Sequence, residues 1–236
     1  MLSPAEFKRY NKQLLLEDIG YDGQIRIQAA KVLVVGAGGL GCPVLQYLAA
    51  AGVGTIGIAD FDVVDATNLQ RQILYNEGDI GKYKTEVAAA RLSILNPFVK
   101  IMPFREMVEE SNACKLIEPF DLVIDGSDNF LTRYIVNDAC VQSEKPLVYG
   151  SILGFQAQVA VFNCKGGKNL RDIFPEPPNP EDVPNCSENG VLGTVTGITG
   201  CLLANEAIKI ILGKNCLHNE MLIIDLMDAG INKLTF

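Results

Sequence analysis

The stretch from Lys31 to Asp60, KVLVVGAGGLGCPVLQYLAAAGVGTIGIAD, leaves little choice of fold. Lys31–Val35 is a short β-branched run, the pattern of a strand buried on both faces. Gly36-Ala37-Gly38-Gly39-Leu40-Gly41 follows at once with G-x-G-x-x-G spacing. Glycines there permit a tight turn and let backbone N–H groups approach phosphate. From Cys42 to Ala51 the apolar residues have helical spacing and good helix formers dominate. Gly52 and Gly54 end that helix. Thr55–Ala59 reads as a second strand, with Asp60 at its carboxyl end, where an acid can hydrogen-bond a ribose hydroxyl. A strand before the turn, a helix after it and an acid at this distance predict a nucleotide site built on Gly36, Gly38, Gly39, Gly41 and Asp60.

The remaining chain suits one α/β domain. Its 236 residues are 48% hydrophobic, ample for a core. A net charge of −8 argues against a nucleic-acid surface. No 18-residue apolar run stands out, so no membrane span is expected. The first twenty residues scatter charges and lack the apolar core of a signal peptide, so a cytoplasmic location is expected. The seven cysteines include no C-x-x-C pair. Most read as small buried hydrophobes rather than disulfide partners. The one histidine, His218, lies in a polar loop and reads as exposed rather than catalytic.

Ser3-Pro4-Ala5-Glu6 is a helix start: cap, proline in the first turn, glutamate at the third position. Residues 3–30 are therefore read as helices ahead of the first strand. A helix is expected from about Lys84 to Leu95, stopped by Asn96-Pro97. Strands are expected at Val99–Phe104, Phe120–Asp125, Leu147–Tyr149, Phe155–Asn163 and Met221–Asp225, and helices at Ser111–Ile117, 131–143 and Thr194–Leu212. Residues 165–190, rich in proline and polar side chains, read as an extended loop, and one so long is uncommon unless functional. The pattern predicts a Rossmann-like, doubly wound, largely parallel sheet with helices on both faces, N-terminal helices and a long crossover loop, all in a single domain spanning 1–236.

Asp60 and Asp128 both end strands of this sheet, beyond which ligands bind in open α/β folds. Between them lie Asp62, Asn68, Arg71, Gln72 and Lys84. Two cations and two amides suit a triphosphate better than a dinucleotide, whose pyrophosphate the turn itself largely handles. An aspartate facing a triphosphate can hold magnesium. ATP with Mg2+ is thus the favoured ligand. A nicotinamide-dependent oxidoreductase would explain the glycines and Asp60 but leaves Arg71 and Lys84 without a role.

Taken together, VVGAGGLG, ADFDVVDATNLQRQ, GKYKTE, DGSDN, NCSENGVLG and NEAIKIILG resemble the ThiF/MoeB/HesA adenylyltransferases, kin to the ubiquitin-activating enzymes. The resemblance runs in family order over nearly the whole chain. It implies an ATP-dependent enzyme that adenylates the C-terminal glycine carboxylate of a ubiquitin-like sulfur carrier protein, and a homodimer with one carrier per subunit. It implies that Gly39 lies beside the phosphates and Asp60 holds the ribose. It further implies that Asn68, Arg71, Gln72 and Lys84 hold the triphosphate and that Asp128 is the magnesium aspartate. Cys186, in NCSENG, matches the cysteine that ThiF relatives link covalently to the carrier, although Glu188 beside it would raise a thiol pKa.

Two departures stand out. The family usually has arginine where Lys12 stands, reaching the nucleotide of the other subunit; lysine keeps the charge and loses the bidentate fork. Many members bind zinc through two C-x-x-C pairs, but 168–172 here reads KNLRD, so no zinc site is expected. FPEPP and the loop cysteine look ThiF-like and favour a ThiS-like carrier of thiamine synthesis over a MoaD-like carrier of molybdopterin synthesis. A sulfurtransferase or cysteine desulfurase would then supply the sulfur. A scaffold that merely binds a ubiquitin-like partner remains a rival, though it would be expected to lack Arg71, Lys84 or Asp128.

Overall fold

The computed structural model describes residues 1–178 and 190–236. Helices α1 (Pro4–Arg9), α2 (Asn11–Leu14) and α3 (Gly20–Ala29) precede the first strand. The capping box at the start of α1 forms as expected: Ser3 caps the Glu6 N–H, and the Glu6 carboxylate returns to the Ser3 N–H at 2.8 Å. Strands β1 (Lys31–Val35), β2 (Thr55–Ala59), β3 (Lys100–Phe104), β4 (Leu122–Asp125), β5 (Leu147–Leu153), β6 (Gln156–Phe162), β7 (Glu220–Asp225) and β8 (Gly230–Thr235) form one sheet of order β3-β2-β1-β4-β5-β6-β7-β8. The pairs from β3 through β5 are parallel, and those from β5 through β8 antiparallel.

Alternation along the strands divides the core. Val32 and Val34 pack on one face, Leu33 and Val35 on the other. The first face is covered by α4 (Gly41–Ala51), α5 (Lys84–Leu95) and the long α9 (Gly193–Ile211), the second by α6 (Ala113–Ile117) and α7 (Phe130–Gln142). Both faces are thus wound, as the sequence predicts. By length and composition α9 could span a bilayer, with a mean hydropathy of 1.2. It instead packs on the sheet, burying Val195, Thr199, Leu203 and Ala207. Cys42, Cys140, Cys164 and Cys216 are buried core residues. Burial pushes the Cys42 thiol up to about 12, where it is inert.

Three expectations need adjustment. β5 runs on to Leu153, four residues past Tyr149, because pairing with β6 carries it through Gly150 and Ser151. A final strand, β8, follows a tight reversal after β7 and is absent from the sequence reading. Its residues are mostly exposed, so it carries little apolar signal. The proline-rich stretch contains a short helix, α8 (Leu170–Ile173), with a capping box made by Asn169 and Asp172. The later part of that stretch, including Cys186, lies outside the described residues.

Candidate active site

The turn after β1 shows why glycine is required. Gly36 has φ +87°, and a Cβ there would lie 2.7 Å from the Gly126 carbonyl oxygen. A Cβ on Gly41 would collide with the Gly36 carbonyl. Gly41 therefore closes the turn and opens α4, while Gly36, Gly38 and Gly39 line a cleft of about 660 Å³ beyond the strand ends. Ala37 between them is fixed from two sides. Its N–H donates to Asp60 Oδ2 at 2.7 Å, and its carbonyl accepts from the Tyr75 hydroxyl at 2.8 Å.

Asp60, Asp62, Asn68, Arg71, Gln72, Lys84 and Asp128 all line this one cleft. Asp60 is already engaged at both oxygens, since Oδ1 accepts from the Asp62 N–H at 2.8 Å. Each oxygen keeps a lone pair for a ribose hydroxyl. Burial raises its pKa, and the nearby Lys84 charge opposes that rise. Lys84 is only 4% exposed at the start of α5, and its Nζ contacts Asp62 Oδ2 at 2.8 Å. Among the described residues Arg71 is held by one bond, from NH1 to the Thr67 carbonyl at 3.1 Å, and the rest of its fork can serve a ligand. Gln72 is buried, and its Oε1 has no partner among the described residues. Asp128 is exposed at the mouth, just ahead of Asn129, which caps α7 by accepting from the Thr132 N–H at 2.9 Å. Lys12 is exposed on α2 and is not among the residues lining the cleft of its own chain.

The sequence reading passed over Arg133, which lines the cleft, and Asp125, which bonds the cleft residue Ser127 without lining the cleft itself. Asp125, at the end of β4, is fully buried; its Oδ1 accepts from the Ser127 N–H at 2.9 Å and the Ser127 hydroxyl at 2.6 Å. Burial raises the Asp125 pKa against the pull of Arg133. Arg133, from α7, is 5% exposed and lines the cleft as well. The available signal was the DGSDN loop followed by an arginine one turn into the next helix. A second, more apolar groove of about 820 Å³ continues from the first. Tyr134, Tyr149, Leu153, Phe174, Pro175 and Ile223 contribute to its walls. The cleft and the groove share Asp128, Asn129, Arg133 and Ile152.

The model of the ThiF family matches residues 10–235. The chain belongs to the ThiF family. Among its relatives, a sulfur carrier protein adenylyltransferase of Thermus thermophilus is 47% identical over 236 residues, covering 98% of this chain and 87% of that protein. The probable adenylyltransferase/sulfurtransferase MoeZ of Mycobacterium tuberculosis is 46% identical over 99% of this chain, which spans 61% of MoeZ. Adenylyltransferase and sulfurtransferase MOCS3 of Danio rerio is 48% identical over 94% of this chain, which spans 49% of MOCS3. The crystal structure of PaaA superposes with a TM-score of 0.85 at 23% identity, covering 99% of this chain and 74% of PaaA. Escherichia coli MccB bound to MccA-N7isoASN gives 0.85 at 23%, covering 96% and 72%. These two establish the fold. ThiF membership implies ATP as the nucleotide, and the paired cations of the cleft suit its triphosphate.

Proposed function

We propose that this ThiF-family chain adenylates the C-terminal glycine carboxylate of a ubiquitin-like sulfur carrier protein. The observation that carries this reading is the continuity of the two cavities: a polar cleft beside the glycine turn opens into an apolar groove across Asp128, Asn129 and Arg133. A nucleotide in the first and an extended peptide tail in the second would meet at that junction.

In the reaction a carboxylate oxygen attacks the α-phosphorus, the bond to the bridging oxygen breaks, and pyrophosphate leaves with that electron pair. Two anions must meet, so the chain's task is to screen charge. Arg71 and Lys84 stabilise the departing pyrophosphate, and the turn's N–H groups support the phosphates. For Lys84 this means exchanging Asp62 for phosphate oxygens. Mg2+ fits the exposed Asp128, because this ion keeps several waters and phosphate oxygens and needs only one or two carboxylates. When bound it would neutralise charge on the phosphates. The acyl-adenylate is then open to a sulfur nucleophile, with AMP as leaving group and a sulfurtransferase or cysteine desulfurase as the sulfur source.

FPEPP and the loop cysteine favour a ThiS-like carrier. The test is carrier-dependent ATP–pyrophosphate exchange with ThiS-like and MoaD-like proteins side by side. Exchange with ThiS-like protein is the expected result. Faster exchange with the MoaD-like one would move the pathway to molybdopterin, and none with either would reject adenylation.

A further inference from the structure

Arg133 is an under-partnered cation at the place where the two cavities join. NH1 donates to the Tyr149 hydroxyl at 3.2 Å and NH2 to the Ser127 carbonyl at 3.1 Å. Among the described residues Nε has no acceptor, and the buried Asp125 Oδ2 has no donor. No hydrogen bond joins Asp125 to this guanidinium, and burial pushes the Asp125 pKa up against the pull of the Arg133 charge. A guanidinium has five donors, and each amino nitrogen has a second hydrogen beyond the bond described. A nearly buried arginine with donors to spare is costly unless a ligand completes it. The guanidinium carbon lies 5.5 Å from the ring centroid of Phe130 and 5.4 Å from that of Tyr149. Both rings line the apolar groove and not the nucleotide cleft. Arg71 and Lys84 line the cleft and not the groove.

From this placement we infer that Arg133 is a positioning residue for the acyl substrate: its free donors take the terminal carboxylate or last peptide carbonyl of the peptide tail and aim it at the nucleotide. The inference rests on the adenylation reading above and assigns the residue to the peptide, not to the triphosphate. Phe130 and Tyr149 lie within cation–π range of the guanidinium, and its bonds to the Tyr149 hydroxyl and Ser127 carbonyl fix its orientation. The tail's anion thus meets a cation already desolvated and oriented, which reduces the reorganisation needed at reaction.

The experiment compares wild type with Arg133→Gln, Arg133→Lys and Tyr149→Phe. Carrier-dependent pyrophosphate exchange gives KM for the carrier and kcat; calorimetry gives the affinity for magnesium–ATP without carrier. Arg133→Gln should raise the carrier KM at least about 10-fold, the scale of a lost charge-assisted hydrogen bond. Nucleotide affinity should stay within about twofold, since the rings and the hydroxyl that hold this guanidinium belong to the groove while Arg71 and Lys84 serve the cleft. Arg133→Lys should recover part of the loss. Tyr149→Phe keeps the ring, removes one anchor and should shift KM in the same direction by less, so the test survives if Arg133→Gln fails to fold. A loss of nucleotide affinity matching the change in carrier KM would overturn the assignment, as would an unchanged carrier KM in Arg133→Lys and Tyr149→Phe. Absence of exchange in wild type with every carrier would be seen before any variant is compared, and would reject the adenylation reading and this inference together.

Discussion

Seven polar residues spread from Asp60 to Asp128 come together around one cleft. They were legible because each stands at a strand end or in the polar segment after β2, where open α/β sheets place their ligands. Arg133 and Asp125 were not legible, because a buried charge inside a helix or at the foot of an apolar strand looks like packing until its partners are known. The Lys84–Asp62 contact sharpens what a variant should do. Lys84 is nearly buried while the Asp62 side chain is 48% exposed, so the pair can open toward the cleft at little structural cost. Lys84→Ala should lower kcat for exchange at least ~100-fold, the scale of removing one charge-stabilising donor from a reaction centre. Steady-state exchange checks it, and an unchanged kcat would strip Lys84 of its phosphate role. Asp128→Ala should abolish exchange while leaving the thermal melt within a degree or two of wild type, since an exposed side chain outside the core contributes little stability. Near-normal exchange in that variant would reject the magnesium assignment.

Elements were legible where period and caps agreed. The α5 helix begins at Lys84 and ends at Leu95, as Asn96-Pro97 requires. β8 escaped because a mostly exposed edge strand has no apolar alternation to read. The segment after β6 is the informative case. Where KNLRD stands, Asn169 and Asp172 cap α8, and Arg171 reaches across to Asp138 with two bonds of 2.7 Å. The same guanidinium donates to the Pro175 carbonyl at 3.0 Å and lies 4.9 Å from the ring centroid of Tyr134. The Tyr134 hydroxyl in turn donates to the carbonyls of Phe174 and Glu176 at 2.9 and 2.8 Å. A set of charge-assisted and aromatic contacts thus ties this wall of the groove to α7. The ion pair is half exposed, so Arg171→Ala should cost no more than about 1 kcal/mol in global unfolding. Its local effect should be larger: faster amide exchange and proteolysis across 170–176, with a raised carrier KM and unchanged nucleotide affinity. Unaltered exchange rates in that segment would show that the tyrosine contacts suffice alone.

At the scale of the whole molecule, the parallel strands build the nucleotide end, and the antiparallel β6 and β7 extend the sheet to wall the groove through Gln156 and Ile223. The division of labour follows the topology; the sequence reading expected a largely parallel sheet and did not include the groove. Apolar side chains left on the surface raise the last question, the homodimer. Tyr47 on α4 is 58% exposed and Ile198 on α9 is 45% exposed, on two helices packed against each other. Leu192 and Ile73, near the Arg71 loop, are 48% and 63% exposed. Large apolar patches on a folded surface mark association sites. A second copy covering this face is what the ThiF resemblance expects, with Lys12 reaching the neighbouring nucleotide. Ile198→Asp and Tyr47→Asp place a charge there without touching the buried core, so each should fold and shift sedimentation equilibrium from dimer to the 25.6 kDa monomer. Exchange should fall with the dimer fraction and recover as protein concentration is raised. Wild type sedimenting as a monomer at micromolar concentration, with full exchange activity, would sink both the interface and the role of Lys12.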